Sequence, residues 1–223
     1  MSQSIENFLI AEFNALQERA LEYERLKSAR VNFYLLLIGA TIAVMPTMVQ
    51  QFQAYEWFAV SFVSLTIILV GIATLIQIVN YSISIAVFYR KAGRVRTWFI
   101  EKSIDMAPYT AFSPGDDRPR IKLTGTYLAL RGAEATVTVG NSIAFGALAY
   151  ALTSLIPIFG PNGGIIFSIV MAVVILITQY WYVARLLTDG EESGQSEIHF
   201  SSSTVVTLQN SYDQKNRDSS SDR

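Results

Sequence analysis

Four long stretches without a charged residue constrain this chain more than any other feature. They cover residues 31–49, 57–89, 135–159 and 163–184. A helix needs about 20 apolar residues to cross the hydrocarbon core of a bilayer, whereas a helix in a soluble core normally has a charged face. The second stretch is longer than a bilayer requires, so we place its span near 57–79. The sequence therefore predicts an all-α, polytopic membrane protein with four transmembrane helices in two hairpins.

The basic residues indicate how these spans are oriented. All 17 Lys and Arg residues lie before the first span, between the second and third, or after the fourth. The short turns between paired spans contain none, and Glu56 is the one charged residue expected there. Basic loops stay on the cytoplasmic side, and no basic segment precedes an apolar one at the N-terminus, as it would in a cleaved signal peptide. We expect a multi-pass protein of the cell membrane with both termini in the cytoplasm.

Residues 1–30 have the pattern of a cytoplasmic amphipathic helix, with apolar side chains at steps of three or four. No breaker separates this segment from the first span, so we expect one continuous helix of about 45 residues. Its apolar stripe must be covered, either by the chain's own central loop or by a coiled-coil contact between subunits. The residues of this candidate assembly stripe are Leu9, Phe13, Leu16 and Tyr23.

The remaining segments complete the predicted organisation. Residues 31–89 form the first transmembrane hairpin, and residues 135–184 form the second. Between them, residues 90–134 are a basic cytoplasmic loop whose first part continues helix two or lies along anionic headgroups. Residues 185–223 are rich in Ser, Asp, Asn and Gln, which predicts a disordered cytoplasmic tail.

Composition argues against most chemistry. A net charge of −1 provides no basic field for nucleic acid. The chain has no cysteine, and its one histidine, His199, lies in the tail, so thiolate chemistry, a histidine metal site and a Ser-His-Asp triad are excluded. Asp116 and Asp117 lie in a Pro/Gly-rich loop, where they favour a turn over a metal site. We predict no enzymatic activity, no cofactor and no nucleic-acid partner.

The spans contain no Asp, Glu, Lys, Arg or His, the residues that normally mark proton relays and ion pathways in membranes. Gln77, Asn80, Asn141 and Gln179 lie near the membrane, where helix–helix hydrogen bonds explain them better than transport does.

A pore made by these spans would have to be lined by hydroxyl and amide groups. The candidate pore-lining residues lie roughly along one side of the second span; they are Ser64, Thr74 and Gln77. The charges that follow this span, Arg90, Lys91 and Arg94, would favour anions entering such a pore from the cytoplasm.

One family resemblance covers roughly residues 5–90. The helical segment 12–27 leads through residues 30–34 into an apolar span, and its sequence is EFNALQERALEYERLK. This pattern resembles small bacterial membrane proteins of the SLATT type, and the resemblance implies a membrane effector of conflict and antiviral systems that acts by forming pores. The second hairpin and the tail depart from the usual two-span plan of that family.

Two functional hypotheses follow. The first is a non-enzymatic, oligomeric membrane effector or channel-like protein, assembled through the N-terminal helix and controlled by a cytoplasmic protein partner. The second is a membrane scaffold or accessory subunit whose spans anchor such a partner in the lipid bilayer. The absence of membrane charges favours the scaffold, and the long helix that enters the first span favours the oligomer.

Overall fold

A computed structural model describes residues 3–51, 56–102, 116–117, 119, 132–156 and 160–195. All regular structure in these residues is α-helical. The helices are α1 (Gln3–Gln51), α2 (Glu56–Lys102), α3 (Gly132–Thr153) and α4 (Gly160–Gln195). Each is long and apolar enough to cross a membrane. The predicted all-α class and the four candidate spans are confirmed.

Helix α1 is continuous over 49 residues, as the absence of a breaker before its apolar run predicts. Pro46 is the one proline inside it and lies near its end. A proline lacks the N–H that would bond one turn back, and such a loss is tolerated near a helix end in a membrane.

Helix α2 continues through Lys102, so the segment predicted as a loop from residue 90 begins as a helix. Of the two alternatives for this segment, the continuation of helix two is the one found. Gly93 is its isolated glycine. Buried residues recur along the segment at steps of three, as Ala92 and Val95 and as Thr97 and Ile100. The apolar periodicity therefore extends beyond the charge-free run and maintains the helix.

Helix α4 also differs from its predicted boundary. It begins at Gly160, which has a positive φ of 49° that glycine adopts without steric cost, and it ends at Gln195. The prediction of disorder from residue 185 was therefore wrong for residues 185–195. Leu187 and Glu191, four residues apart, are both buried there, so packing overrides a composition that favours disorder. Residues 196–223 lie outside the described residues.

The chain divides into two compact units. The polar unit comprises residues 1–24, 82–122 and 187–223, and the apolar unit comprises residues 25–81 and 123–186. Helices α1, α2 and α4 contribute residues to both units, and α3 belongs to the apolar unit alone.

Within the apolar unit, small residues of α3 allow close helix packing. A side-chain carbon added at Gly146 would lie 3.1 Å from both the Ala172 methyl group and the Ser168 carbonyl oxygen of α4. The outward surface is covered by large apolar side chains, among them Leu36, Ile143 and Ile166. A contiguous apolar surface of this kind requires lipid or protein to cover it.

Within the polar unit, α2 contacts two residues of the predicted assembly stripe of α1, Phe13 and Tyr23. Leu16 is buried, and the Tyr23 ring packs edge-on against Phe88 with ring centroids 5.4 Å apart. The Arg96 guanidinium lies 5.3 Å from the centre of the Phe13 ring, a cation–π distance. Leu9 is half-buried. Of the two alternatives for this stripe, the contacts support the intramolecular one.

Candidate functional site

The predicted pore-lining residues all lie on α2 in the apolar unit. Ser64 and Thr74 are buried, and Gln77 is half-buried. Ser64 borders a groove whose other lining residues are almost all apolar, and neither Thr74 nor Gln77 borders that groove. Only one of the three residues thus borders this groove, and the pore-lining hypothesis stays a prediction.

The polar residue that joins helices in the apolar unit is Asn141 of α3. Its side chain is fully buried, and the Tyr34 hydroxyl of α1 donates a hydrogen bond of 2.8 Å to its Oδ1 atom. The helix–helix hydrogen bond predicted for Asn141 is confirmed. The same kind of bond is predicted for Asn80 and Gln179. Asn80 is exposed, and the buried Oε1 of Gln179 has no hydrogen-bond partner among the described residues.

Two glycines make this hydrogen bond sterically possible. A side-chain carbon at Gly71 of α2 would collide with the Asn141 amide, and one at Gly140 of α3 would lie 2.8 Å from the Tyr34 hydroxyl oxygen. Three helices thus meet at one buried polar contact. We call Tyr34, Gly71, Gly140 and Asn141 the asparagine node.

A second polar contact of the apolar unit joins α1 to the start of α3. Lys27 donates to Glu134 at 2.7 Å, and the side chain of Glu134 is buried. Glu134 lies in the first turn of α3, where a negative charge also interacts favourably with the helix dipole. Sequence reasoning missed this pair because Glu134 directly precedes the charge-free run. An acidic residue at that position is a known helix-start signal.

The polar unit contains a cluster of buried charge. Nη2 of Arg90 on α2 donates to both carboxylate oxygens of Glu191 on α4, at 2.8 and 2.7 Å, and the two side chains are only 5% and 8% exposed. Nε of Arg90 donates to the Pro119 carbonyl oxygen at 3.1 Å. One turn along α2, Nε of Arg94 donates to Asp116 at 2.8 Å. We call Arg90, Arg94, Asp116 and Glu191 the arginine cluster.

The arginine cluster corrects the prediction of a basic mouth next to the second span. Arg90 and Arg94 each pair with a carboxylate, so of the three basic residues invoked only Lys91 is exposed. A paired and buried charge contributes little to a field that would attract anions. The partner carboxylates lie 101 and 22 residues away in the sequence, which is why local charge counting missed them.

The structure also describes the acidic pair at 116–117. Its carboxylate is buried and bonded to Arg94, and both aspartates lie in a bend. Within the described parts of the chain, no group of three or more His, Cys, Asp or Glu residues could hold a metal ion. His199 lies outside the described residues.

Close contact between α2 and α4 brings Glu191 to Arg90. A side-chain carbon at Gly190 would lie 2.9 Å from the end of the Ile83 side chain, so the absence of a side chain at that position lets the two helices approach. The sequence contains one signal for this arrangement: Leu187, Gly190 and Glu191 continue the helical spacing into a segment of polar composition.

Comparisons with protein-family models, with curated proteins and with solved structures gave no match. The resemblance of residues 5–90 to SLATT-type proteins therefore stays a prediction.

Proposed function

We propose that this chain is a non-enzymatic, multi-span protein of the cell membrane, with both termini in the cytoplasm, that acts as an oligomeric membrane effector controlled through its polar unit. The observation that carries this proposal is the division of the helices. Helices α1, α2 and α4 contribute residues to both units. A cytoplasmic protein partner that binds the polar unit therefore acts on the same helices that supply the apolar unit.

The arginine cluster gives this control a physical form. A buried ion pair is seldom more stabilising than a well-packed apolar pair, but the loss of either partner leaves a strongly disfavoured buried charge. A charged partner that competes for Arg90 or Glu191 would therefore act on the contact between α2 and α4.

Conduction, if this effector acts as a pore, requires several copies. Ser64 and Thr74 are buried by the chain's own packing, whereas Gln77 is half-buried and can face a neighbouring copy. The large apolar side chains on the outward surface provide further contact area for copies as well as for lipid.

A membrane scaffold is the second candidate, and the burial of Ser64 and Thr74 favours it. In this alternative the spans pack as an anchor, and the polar unit holds a cytoplasmic protein without any change in the membrane.

Leakage from liposomes distinguishes the two candidates. Purified protein in dye-loaded vesicles, with and without candidate cytoplasmic activators, should release dye if it is an effector. Release should fall in Gln77→Leu and persist in the matched control Gln50→Leu, an exposed glutamine near the end of α1. Sealed vesicles under every activator, together with a soluble partner recovered through residues 90–134, would support the scaffold instead.

Orientation is tested separately, because the chain has no cysteine. Single cysteines at Gln53 and Asn162 should react with a membrane-impermeant thiol reagent added to intact cells. Cysteines at Ser28, Ser113 and Ser203 should react only after lysis. External labelling of Ser113→Cys would overturn the proposed topology.

A further inference from the structure

An open groove of about 580 Å³ lies within the apolar unit, bordered by α1, α2 and α3. Bulky residues of α1, including Met45 and Val49, form one wall, and Ile67 of α2 contributes to another. The α3 side consists of Ile143 and three small residues, Gly140, Ala144 and Ala147, which share one face of the helix at steps of four and three. The groove exists because these small side chains lie opposite large ones.

Water does not suit this groove. Its lining is almost entirely apolar, and the Thr41 hydroxyl already donates to the carbonyl oxygens of Leu37 and Ile38, at 2.9 and 2.8 Å. Apolar cavities stay dry because water needs two to four polar partners. Protein interiors are nevertheless close-packed, so a space of this size requires an apolar occupant.

The size of the groove distinguishes between apolar occupants. A helix with its side chains is about 10–12 Å across, so 580 Å³ would hold only about one turn of a helix from a second copy. The volume does lie within the range of about 300–1,000 Å³ that is typical of small-molecule sites. A thin, flexible chain fits such a groove better than a helix does.

We propose that the groove binds one acyl chain of a bilayer phospholipid, a proposal that rests on the proposed membrane location. Ile42 and Ile143, two strongly exposed residues of the lining, continue the groove onto the lipid-facing surface. An acyl chain can therefore enter from the side without leaving an apolar environment. The bound chain fills the space between α1 and α3 and forms part of the packing of the apolar unit.

Photolabelling tests this assignment. The probe is a phosphatidylcholine with a diazirine in the middle of one acyl chain, in phosphatidylcholine and phosphatidylglycerol vesicles that contain the full chain. Ala147→Phe should fill the groove, and Ala147→Leu is a milder variant in case the larger side chain impairs folding. Ala73→Phe is the matched control, because Ala73 is exposed on α2 and does not border the groove.

Adducts on Met45, Val49 and Ile67 should fall severalfold in both Ala147 variants and stay unchanged in Ala73→Phe. Equal labelling of the groove in all variants would overturn the proposal. Adducts confined to the outward-facing Leu36, Leu69 and Ile169 would overturn the groove alone. If no adducts formed at those three positions either, the proposed membrane location would be overturned together with the groove.

Discussion

The two units of this chain draw on the same helices but are stabilised by different interactions. In the polar unit, opposite charges and aromatic rings link residues that are distant in sequence, as in the Arg90–Glu191 pair and the Tyr23–Phe88 contact. In the apolar unit, the close approach of helices depends largely on side chains that are missing, at Gly71, Gly140 and Gly146. The polar unit is thus sensitive mainly to the loss of a charge, and the apolar unit mainly to the gain of a methyl group. Gly190 in the polar unit and the Lys27–Glu134 pair in the apolar unit are the exceptions.

The largest expected effect comes from breaking the arginine cluster. Glu191→Ala leaves Arg90 buried without its carboxylate, and breaking such a pair costs about 3–5 kcal/mol. The free energy of unfolding in detergent, followed by tryptophan fluorescence, should fall by that amount. Glu192→Ala removes an exposed neighbouring carboxylate and should have almost no effect.

The double variant Arg90→Met/Glu191→Leu sharpens this prediction. It replaces both charges by apolar groups and should recover most of the lost stability, since a buried pair and a packed apolar pair are often equivalent. If Glu191→Ala were no less stable than Glu192→Ala, the charge pair would contribute nothing to the cohesion of the polar unit.

The second effect concerns the apolar stripe of α1. Leu16→Glu places a charge in a buried position that holds an apolar side chain. We expect the free energy of unfolding to fall by several kcal/mol because the charge loses its hydration. Leu21→Glu, at an exposed position of the same helix, is the matched control. Because the stripe packs on α2 of the same chain, stability should fall while the oligomer size measured by light scattering stays constant. A change in oligomer size with unchanged stability would restore the coiled-coil alternative.

A third prediction concerns the glycines of the apolar unit. Gly71→Ala forces the new methyl group against the Asn141 amide, and overpacking of this kind costs about 1–3 kcal/mol. Gly39→Ala is the matched control, since nothing lies within 4 Å of a side-chain carbon at that position. Removing a glycine from an open helix position should stabilise the protein by about 0.5–1 kcal/mol. If both variants shifted stability in the same direction, close packing at the asparagine node would be ruled out.

The same contrast explains what the sequence could and could not predict. Helix number, the continuity of α1 and the role of Asn141 follow from local patterns: a charge-free run, the absence of a breaker, and an amide inside an apolar segment. The identity of the partner of Arg90 does not follow from a local pattern, because Glu191 lies 101 residues away in a segment whose composition favours disorder. Long-range pairing depends on helix packing, which periodicity alone does not encode.

The pore-lining hypothesis shows a related limit. Helical spacing predicts which residues share a face of α2, but not whether that face meets another helix, lipid or a cavity. Ser64 and Thr74 are both buried, and of the two only Ser64 borders the groove. The sequence identified the polar residues of this helix, and only the packing of α3 against it determines what they contact.

The smallest predicted effects compare one chemical group in both units. Tyr34 donates to Asn141 at 2.8 Å in the apolar unit, and Tyr89 donates to Glu24 at 3.1 Å in the polar unit. The first contact is buried and the second is exposed. Tyr34→Phe leaves the buried Asn141 oxygen without its donor, and a buried acceptor left unsatisfied costs about 1–3 kcal/mol.

Tyr89→Phe should lower the free energy of unfolding less than Tyr34→Phe does, because water can replace the lost hydroxyl at an exposed carboxylate. Salt gives a second readout: an exposed contact to a charged group is screened by ions, whereas a buried neutral one is not. Raising the salt concentration should therefore reduce the difference in the free energy of unfolding between wild type and Tyr89→Phe. The corresponding difference for Tyr34→Phe should not change. If both variants lost the same free energy of unfolding and responded to salt in the same way, the two hydroxyls would have similar surroundings. The contrast between the units would then not extend to their hydrogen bonds.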